Sequence, residues 1–413
     1  MEWIPYSRIT NVKKIAEGGF GIIYRATWLN SLRRKTIVLK RCKYSQDISK
    51  DFLNELKSIQ SCNKINHHII KAYGVTKDPD LDDYMLVMQY ASKGDLHNYL
   101  QKDFTNITWI KQKLSILWQI SEGLETIHKA NFIHRDFHSG NILFNDDYDS
   151  HRNHKWKIGD LGLSQPANNT SLNNEIYGVI PYIAPEIFKG SAFSKESDVY
   201  SMGMIMWELT TGCRPFANDK HDIHLVYKIL DGERPKITED TPKCYADLMK
   251  SCWDADPKKR PSATKIRKTF NKWVFRKNDD LEQFNQAEIR RKELINSKKL
   301  GPEIAENPHP NAIYTSRPLS SFISKCSTIS SSLKDYSSIE LKFDISFSSP
   351  SSNLNSTIQN SSTIWHPNAF HTSNFNLLAT VATSLKKRNI EESDIDETHN
   401  NNGKRIKSCS NYS

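Results

Sequence analysis

The spacing of apolar residues changes along the chain, and this change predicts a strand-rich segment followed by a helical one. The clearest β-favouring runs lie at residues 22–24, 36–39 and 85–88. Between the second and third runs, Phe52, Leu56 and Ile59 fall on one helical face. The pattern therefore predicts that residues 8–91 form strands with one helix inserted.

Helical spacing dominates from residue 95 to residue 273. One long helix is marked by Leu114, Leu117, Ile120, Leu124 and Ile127. Residues 199–209 are apolar almost all round, as expected of a helix that is buried on every side. The two halves together predict an α+β fold with a β-rich first lobe and a mainly α-helical second lobe.

The composition changes after about residue 276. The charged stretch 280–299 contains the i, i+4 pair Glu288 and Lys292, and it predicts a short exposed helix within a charged helical linker, 276–300. Residues 301–413 are dominated by Ser and Asn. Such a stretch buries too little apolar surface to offset the entropy of ordering, so we expect a largely disordered tail.

Composition and charge exclude several classes of protein. The 413 residues carry a net charge of +10, but the chain shows no dense Lys/Arg stripe with interleaved aromatics, so we expect no specific nucleic-acid partner. Seven cysteines without a Cys-x-x-Cys spacing argue against a zinc site or disulfide framework and indicate reduced thiols. With no signal-peptide pattern and no membrane-length apolar run, a cytoplasmic location without membrane association is expected, and the oligomeric state stays open.

Candidate chemistry begins with a glycine-rich loop at residues 15–21, Ile-Ala-Glu-Gly-Gly-Phe-Gly, directly before a predicted strand. Glycines let backbone amides approach phosphate oxygens, although an ordinary turn between strands explains this fragment equally well. Lys40 ends the run 36–39, where its ammonium group could neutralise phosphate charge. Glu55 lies at the edge of the inward helical face and could hold that lysine in place.

The strongest signal is His-Arg-Asp-Phe-His-Ser-Gly-Asn at residues 134–141. Asp136, held in a loop, could accept a proton from a substrate hydroxyl, and Asn141 could offer its amide oxygen to a metal ion. Asp160 follows at the end of a predicted strand, beside a glycine that permits a turn, and could bind magnesium through oxygen.

These residues, taken in order, resemble the protein kinase family from about residue 9 to about residue 273. The shared features are the glycine-rich loop, Lys40, Glu55, His134-Arg135-Asp136, Asn141, Asp160-Leu161-Gly162, Ala184-Pro185-Glu186, Asp198 and Arg260. The segment 252–257, Cys-Trp-Asp-Ala-Asp-Pro, is typical of the tyrosine kinase and tyrosine kinase-like groups.

The resemblance implies a bilobal protein kinase domain at 8–275, with lobes at about 8–91 and 92–275, that uses ATP and Mg²⁺ on protein substrates. It implies Asp136 as catalytic base, Lys40 and Glu55 as the phosphate-positioning pair, and Asn141 and Asp160 as metal ligands. The implied ATP-binding residues are Ala16, Gly18, Gly19, Gly21, Ile23, Val38, Lys40, Gln89, Ala91 and Leu143. It also implies Met88 behind the adenine, a buried Glu186–Arg260 ion pair, and Asp198 as a tether of the catalytic loop.

Four positions depart from the usual kinase pattern, namely Ala16, Val38, His138 and Val179. His138 and Val179 stand where serine/threonine kinases usually carry lysine and threonine, so the hydroxyl preference stays open. The alternative interpretation is a weak or inactive kinase-like domain that acts as a binding module. A small-molecule kinase is disfavoured by Ala184-Pro185-Glu186.

Two modification or targeting signals are also predicted. Arg135 beside Asp136 could pair with a phosphate between residues 160 and 186, where the available hydroxyls are Ser164, Thr170, Ser171 and Tyr177. Thr170 or Ser171 is favoured because of its central position. The basic clusters 386–388 and 404–407 resemble a two-part nuclear import signal, although a merely solvated tail is the slightly favoured interpretation.

Overall fold

The computed structural model describes most of the first three-quarters of the chain. The described residues are 2–18, 21–30, 33–42, 50–63, 68–146, 155–167, 176–275, 280–302, 308–324 and 326. The chain divides into two units, 1–337 and 338–413, and every described residue belongs to the first unit.

The first lobe is built on strands. Its elements are β1 (Glu2–Trp3), β2 (Ile9–Glu17), β3 (Gly21–Asn30), β4 (Arg33–Cys42), α1 (Lys50–Asn63), β5 (Ala72–Lys77) and β6 (Tyr84–Gln89). The six strands form one sheet in the order β1-β5-β6-β4-β3-β2, in which all neighbours are antiparallel except β1 and β5. The three predicted strand runs and the predicted inserted helix are confirmed.

The sheet begins earlier in the chain than the expected domain start at residue 8. Strand β1 runs parallel to β5, with Glu2 opposite Gly74. A Cβ atom on Gly74 would lie only 2.1 Å from the Glu2 carbonyl oxygen, so glycine permits this close pairing. Ile4, just after β1, is 1% exposed. Residues 2–7 therefore belong to the first lobe. Their apolar runs are too short to have predicted this from the sequence.

The second lobe is mainly helical. Its helices are α2 (Leu96–Asp103), α3 (Leu114–Lys129), α4 (Pro185–Phe188), α5 (Lys195–Thr211), α6 (Ile223–Leu230), α7 (Lys243–Cys252), α8 (Ala263–Phe275) and α9 (Leu281–Asn296). Its short strands are β7 (Phe132–Ile133), β8 (Ile142–Phe144), β9 (Trp156–Ile158), β10 (Gln165–Pro166), β11 (Tyr177–Gly178) and β12 (Arg317–Pro318). None of the helices in the described part of the chain is long and apolar enough to cross a membrane.

Helix α5 is the centre of this lobe and is buried around almost its whole circumference, as predicted. Ser194 and Ser197 form a reciprocal capping box at its start, which satisfies two backbone N–H groups that the helix cannot bond internally. The helix ends at Gly212, whose φ of 77° is readily adopted only by glycine. Both ends of the helix are therefore specified by local sequence.

The chain after residue 275 differs from the sequence expectation. Helix α9 is present, but one of its faces is buried, because Phe284, Ala287 and Leu294 pack into the core of the second lobe. Residues 308–324, which were assigned to the disordered tail, also lie on this lobe, and Leu319 is 0% exposed. In both segments the apolar residues are widely separated by charged and polar ones, so the sequence did not predict that α9 and residues 308–324 pack on the second lobe.

Candidate active site

Lys40 lies in the middle of the sheet and reaches two carboxylates. Strand pairing places it between Ile23 of β3 and Leu86 of β6. Its Nζ lies 2.8 Å from Glu55 on α1 and 2.7 Å from Asp160. The Lys–Glu pair that the sequence predicted is therefore present, and the lysine also meets the carboxylate that follows β9.

Asp160 is held as an anion. Burial by itself would raise the pKa of its carboxyl, but the charge and hydrogen bond of Lys40 outweigh burial, and the net effect lowers the pKa. The Gly162 backbone N–H also donates to Asp160 Oδ1, the oxygen that Lys40 contacts, at 3.4 Å. Asp160 has a φ of 55°, in the left-handed region that non-glycine residues rarely adopt. Such strain, retained beside buried charges, is typical of a functional site.

The glycine-rich loop joins β2 to β3. Ala16 pairs with Ile23 across these strands, and the Gly18 N–H donates to the Gly21 carbonyl at 2.9 Å. A Cβ atom on Gly18 would meet nothing within 4 Å, so the space beside it is open on the part of the chain that is described. Gly19 lies outside the described residues.

The predicted adenine end lies where β6 leaves the sheet. Met88 is buried and pairs with Val38 of β4, while the Gln89 N–H donates to the Lys71 carbonyl at 2.8 Å. Ala91 and Leu143 are half-buried and pack against the same core. The predicted adenine contacts thus come from β4, β6, β8 and the chain between the lobes.

The catalytic loop is tethered by Asp198 of α5, as predicted. Its carboxylate accepts the N–H of His134 at 2.8 Å and the N–H of Arg135 at 3.0 Å. The ring of His128 lies 2.9 Å from the same group. Arg135 has a φ of 72°, and these hydrogen bonds stabilise that otherwise unfavourable backbone.

Asp136 is nearly buried at the tip of this loop. Asn141 donates its side-chain N–H to the Asp136 carbonyl at 2.9 Å, which turns the amide nitrogen inward and leaves its oxygen as the possible ligand atom. His138 Nε2 lies 3.6 Å from Asp136 Oδ2. Asp136 Oδ1 is buried and accepts no hydrogen bond from the described residues. A buried carboxylate oxygen without a donor fits an incoming hydroxyl group.

His134 connects the catalytic loop to Asp160. Its ring nitrogen Nε2 donates to the Gly159 carbonyl at 3.1 Å, and its Nδ1 accepts the N–H of Asp136 at 3.3 Å. Burial lowers the pKa of His134, which keeps the ring neutral and allows one nitrogen to donate and the other to accept. The Gly159 N–H also donates to the Asn141 carbonyl at 2.9 Å, so both predicted metal ligands sit on one hydrogen-bonded unit.

The two predicted ligands, Asn141 and Asp160, present an amide oxygen and a carboxylate oxygen. The part of the chain that is described holds no group of three or more His, Cys, Asp or Glu side chains suited to a metal ion. A hard cation bound by one or two protein oxygens completes its shell with phosphate oxygens and water, which is the usual arrangement for Mg²⁺ with a nucleotide. The donor set therefore fits a divalent cation that arrives with a phosphate ligand.

Two predicted phosphorylation positions can be located. Ser164 is fully buried, and its hydroxyl contacts Ser58 of α1 and the Leu161 carbonyl, so it is not accessible in this conformation. Tyr177 lies in β11 and is half-buried. Thr170 and Ser171, which were the favoured acceptors, lie outside the described residues. The predicted phosphorylation therefore stays a prediction.

Two further interactions support the loop after β11. Glu186 and Arg260 form the predicted buried ion pair, with both N–O distances at 2.7 Å. The Tyr182 hydroxyl donates to Glu208 of α5 at 2.6 Å and lies 3.3 Å from Ser139 in the catalytic loop. Sequence reasoning missed Tyr182, Glu208 and Ser139, because their positions carry no motif that distinguishes them from ordinary core residues.

Comparison with known proteins agrees with this geometry. The family described as protein tyrosine and serine/threonine kinase matches residues 9–270. Mitogen-activated protein kinase kinase kinase 7 of Homo sapiens is 31% identical over 274 residues, which is 65% of this chain and 42% of that protein. The same kinase of Drosophila melanogaster is 29% identical, over 63% of this chain and 36% of its own length.

A third relative is the probable serine/threonine-protein kinase roco5 of Dictyostelium discoideum. It is 29% identical over 63% of this chain, which covers only 9% of that protein. The chain thus spans less than half the length of each of these relatives. The region 9–270 that the family matches holds Lys40, Asp136 and Asp160. Because the family match covers more than half of the chain, this protein belongs to the protein tyrosine and serine/threonine kinase family, whose members use ATP and a divalent metal ion.

Proposed function

We propose that this chain is a serine/threonine protein kinase that transfers the γ-phosphoryl group of Mg²⁺-bound ATP to hydroxyl groups of protein substrates. The observation that carries the proposal is Lys40, whose Nζ lies within 2.8 Å of both Glu55 and Asp160. This arrangement orients a cation toward the place where phosphates and metal would meet. The serine/threonine preference is supported by the names of the relatives.

Each protein group has a defined part in the proposed reaction. Mg²⁺ bound with ATP would supply charge neutralisation at the phosphates, and Asn141 and Asp160 would hold it through oxygen. Lys40 would orient the phosphates, and the open backbone at Gly18 would let amide groups approach them. Asp136 would accept the proton of the substrate hydroxyl at Oδ1. Most of the rate enhancement would come from positioning and electrostatics.

The alternative, a kinase-like binding module without catalysis, rests on His138 and Val179. In the structure His138 points at Asp136 without displacing it, and Val179 is fully buried beside the catalytic loop. Neither residue removes a donor or an acceptor from the set formed by Lys40, Asp136, Asn141 and Asp160. This observation favours the enzyme over the binding module.

The test compares wild type with Asp136→Asn in phosphoryl transfer from labelled ATP to myelin basic protein. We expect Asp136→Asn to lower the rate by about 10²-fold to 10⁴-fold, because a positioned base is lost while the fold is kept. Asp247→Asn is the matched control, since Asp247 is exposed and its ion pair among the described residues is with Lys243 on α7. Phosphoamino-acid analysis should show phosphoserine or phosphothreonine. Absence of transfer by folded wild-type protein would favour the binding module.

Localisation is a separate proposal. We propose a cytoplasmic protein, on the basis of its cysteine usage. Nuclear entry through the basic clusters 386–388 and 404–407 is the alternative, and both clusters lie outside the described residues. A fusion of residues 380–413 to a large fluorescent cargo tests this alternative, and a cytoplasmic fusion would contradict it.

A further inference from the structure

A segment that follows the kinase domain in sequence forms a strand beside the active site. Strand β12 pairs antiparallel with β11, with Pro318 opposite Tyr177 and Arg317 opposite Gly178. The Leu319 N–H extends this pairing by donating to the Ile176 carbonyl at 2.7 Å. Leu319 itself is 0% exposed. The contact therefore combines backbone hydrogen bonds with one buried apolar side chain.

The same segment is held upstream by the loop between α5 and α6. The His309 N–H donates to the Ala217 carbonyl, and the Tyr314 hydroxyl donates to the Pro215 carbonyl at 2.8 Å. The Arg317 guanidinium donates to the His221 carbonyl at 2.5 Å. Residues 308–324 thus follow one continuous path from residues 215–221 to β11.

This path ends beside the proposed base. Val179 directly follows β11, and it lines one small cavity together with Asp136 and His138. A Cβ atom placed on Gly178 would lie 2.4 Å from Ile183, which lines the same cavity, and 3.7 Å from Leu319. Leu319 and Ile183 therefore flank the same residue, Gly178, which directly precedes Val179 at the edge of the cavity that Asp136 lines.

The chemistry of this contact matches a bound peptide. An exposed strand edge binds an extended peptide through backbone hydrogen bonds, while a pocket for a side chain supplies specificity. Within the described residues, β11 pairs with β12 alone. The three residues in closest contact, Arg317, Pro318 and Leu319, carry no hydroxyl that could accept a phosphoryl group. The segment is therefore suited to occupy the edge of β11 rather than to react there.

We propose that residues 308–324 act as a cis competitor, occupying the surface on which a protein substrate must lie to bring its hydroxyl to Asp136. This inference rests on the proposed protein kinase function. Because the segment is tethered, its effective concentration at β11 is on the order of millimolar, and a substrate must displace it. Release of the segment would therefore raise the affinity for protein substrates without changing the chemical step.

The test uses the full-length variant Leu319→Asp, which places a charge at the buried contact and leaves residues 1–318, with every candidate site residue, unchanged. If the edge of β11 is free in about one wild-type molecule in ten, KM for myelin basic protein should fall about tenfold, with kcat and KM for ATP unchanged. Thr315→Asp is the matched control, because it adds the same charge at an exposed position of the same segment. It should leave KM for the protein substrate unchanged.

Hydrogen exchange supplies a readout that does not depend on catalysis. The Leu319 amide donates to Ile176 across this contact, and the amides of Phe322 and Ile323 donate to the Leu319 carbonyl within the segment, so all three should be protected while the segment is docked in wild type. They should exchange faster in Leu319→Asp and also in wild type saturated with myelin basic protein. Leu319→Ala serves as the milder second variant if Leu319→Asp lowers the thermal stability of the whole protein.

The outcomes separate the two proposals. Faster exchange in Leu319→Asp with an unchanged KM would overturn the competitor role, and so would an equal fall of KM in Thr315→Asp. If neither wild type nor variant phosphorylates protein, the proposed kinase function fails. In that case, hydrogen exchange in the presence of myelin basic protein still decides whether residues 308–324 compete with a protein substrate for the edge of β11.

Discussion

The ammonium group of Lys40 has a catalytic role and a structural role, and mutations can separate the two. Lys40 and Glu55 are 7% and 1% exposed, so removing the lysine leaves a buried carboxylate without its counter-charge. We expect Lys40→Met to lose phosphoryl transfer and about 3 kcal/mol of the free energy of unfolding. The double variant Lys40→Met/Glu55→Gln should regain most of that stability and none of the activity. Chemical denaturation and a transfer assay measure the two effects.

The matched control for this residue-scale prediction is Lys14→Met. Lys14 also pairs with a glutamate, but its side chain is 52% exposed and that of Glu17 is 44% exposed. Solvent screens such a pair, so its loss should cost less than about 1 kcal/mol. Equal losses in Lys14→Met and Lys40→Met would contradict the view that burial of the carboxylate causes the cost.

At the residue scale, the sequence revealed charged residues at positions where a purely structural role seldom requires a charge. A lysine directly after an apolar run and an aspartate within a His-Arg-Asp loop stand out because few structural roles need them there. The structure extends β4 to Cys42, so Lys40 lies within the strand and not at its end. Tyr182 and Glu208 could not be found in this way, because both residue types are common and the contact joins positions 26 residues apart. The closeness of Lys40 to Asp160 was also hidden, since it depends on how the two lobes close on each other.

At the scale of elements, α9 shows how a charged helix can still be part of a core. Its buried residues Phe284, Ala287, Arg291 and Leu294 recur on one face, but one of the four is an arginine. Arg291 is 1% exposed and donates to the Thr105 carbonyl at 3.1 Å. Glu288 accepts the Trp109 N–H at 2.9 Å, just before α3. The charged i, i+4 pair of Glu288 and Lys292 predicted the helix, but a buried arginine gives no apolar signal, so the burial was not predicted.

Neighbouring arginines on α9 provide a test of this anchoring. Arg291→Ala should lower the free energy of unfolding by about 2–4 kcal/mol, because it removes the Arg291 donor from the Thr105 carbonyl and the counter-charge from the Glu288 carboxylate, which keeps the Trp109 N–H. Arg290→Ala should cost less than about 1 kcal/mol, since Arg290 is 45% exposed and its carboxylate partners lie in solvent. Denaturant unfolding of the two variants measures the difference, and similar losses would argue against a specific anchor at Arg291.

At the scale of the whole molecule, the kinase architecture was predictable, whereas the limits of the folded unit were not. The order of strands and helices follows from periodicity and from motifs in sequence order, and both persist over long stretches. The ends of the unit depend on a two-residue strand at β1 and on backbone hydrogen bonds made by residues 308–324. Backbone contacts of this kind impose almost no pattern on side chains, so the sequence did not show them.

The position of these limits leads to a prediction about shortened chains. A chain ending at residue 275 lacks α9 and therefore exposes the rings that Phe284 covers, including Trp109 and Trp273. Burying Phe284, Leu294 and Leu300 contributes about 1.5–3 kcal/mol each, so the loss is on the order of 5 kcal/mol. This is comparable with the whole stability of a typical domain, which is about 5–15 kcal/mol. We expect the chain 1–275 to aggregate or to unfold at a much lower temperature than the chain 1–326. The chain 1–302 retains α9, so its unfolding temperature should be close to that of 1–326. Thermal unfolding of the three chains measures this order, and a chain 1–275 as stable as 1–326 would show that α9 is dispensable for the kinase lobes.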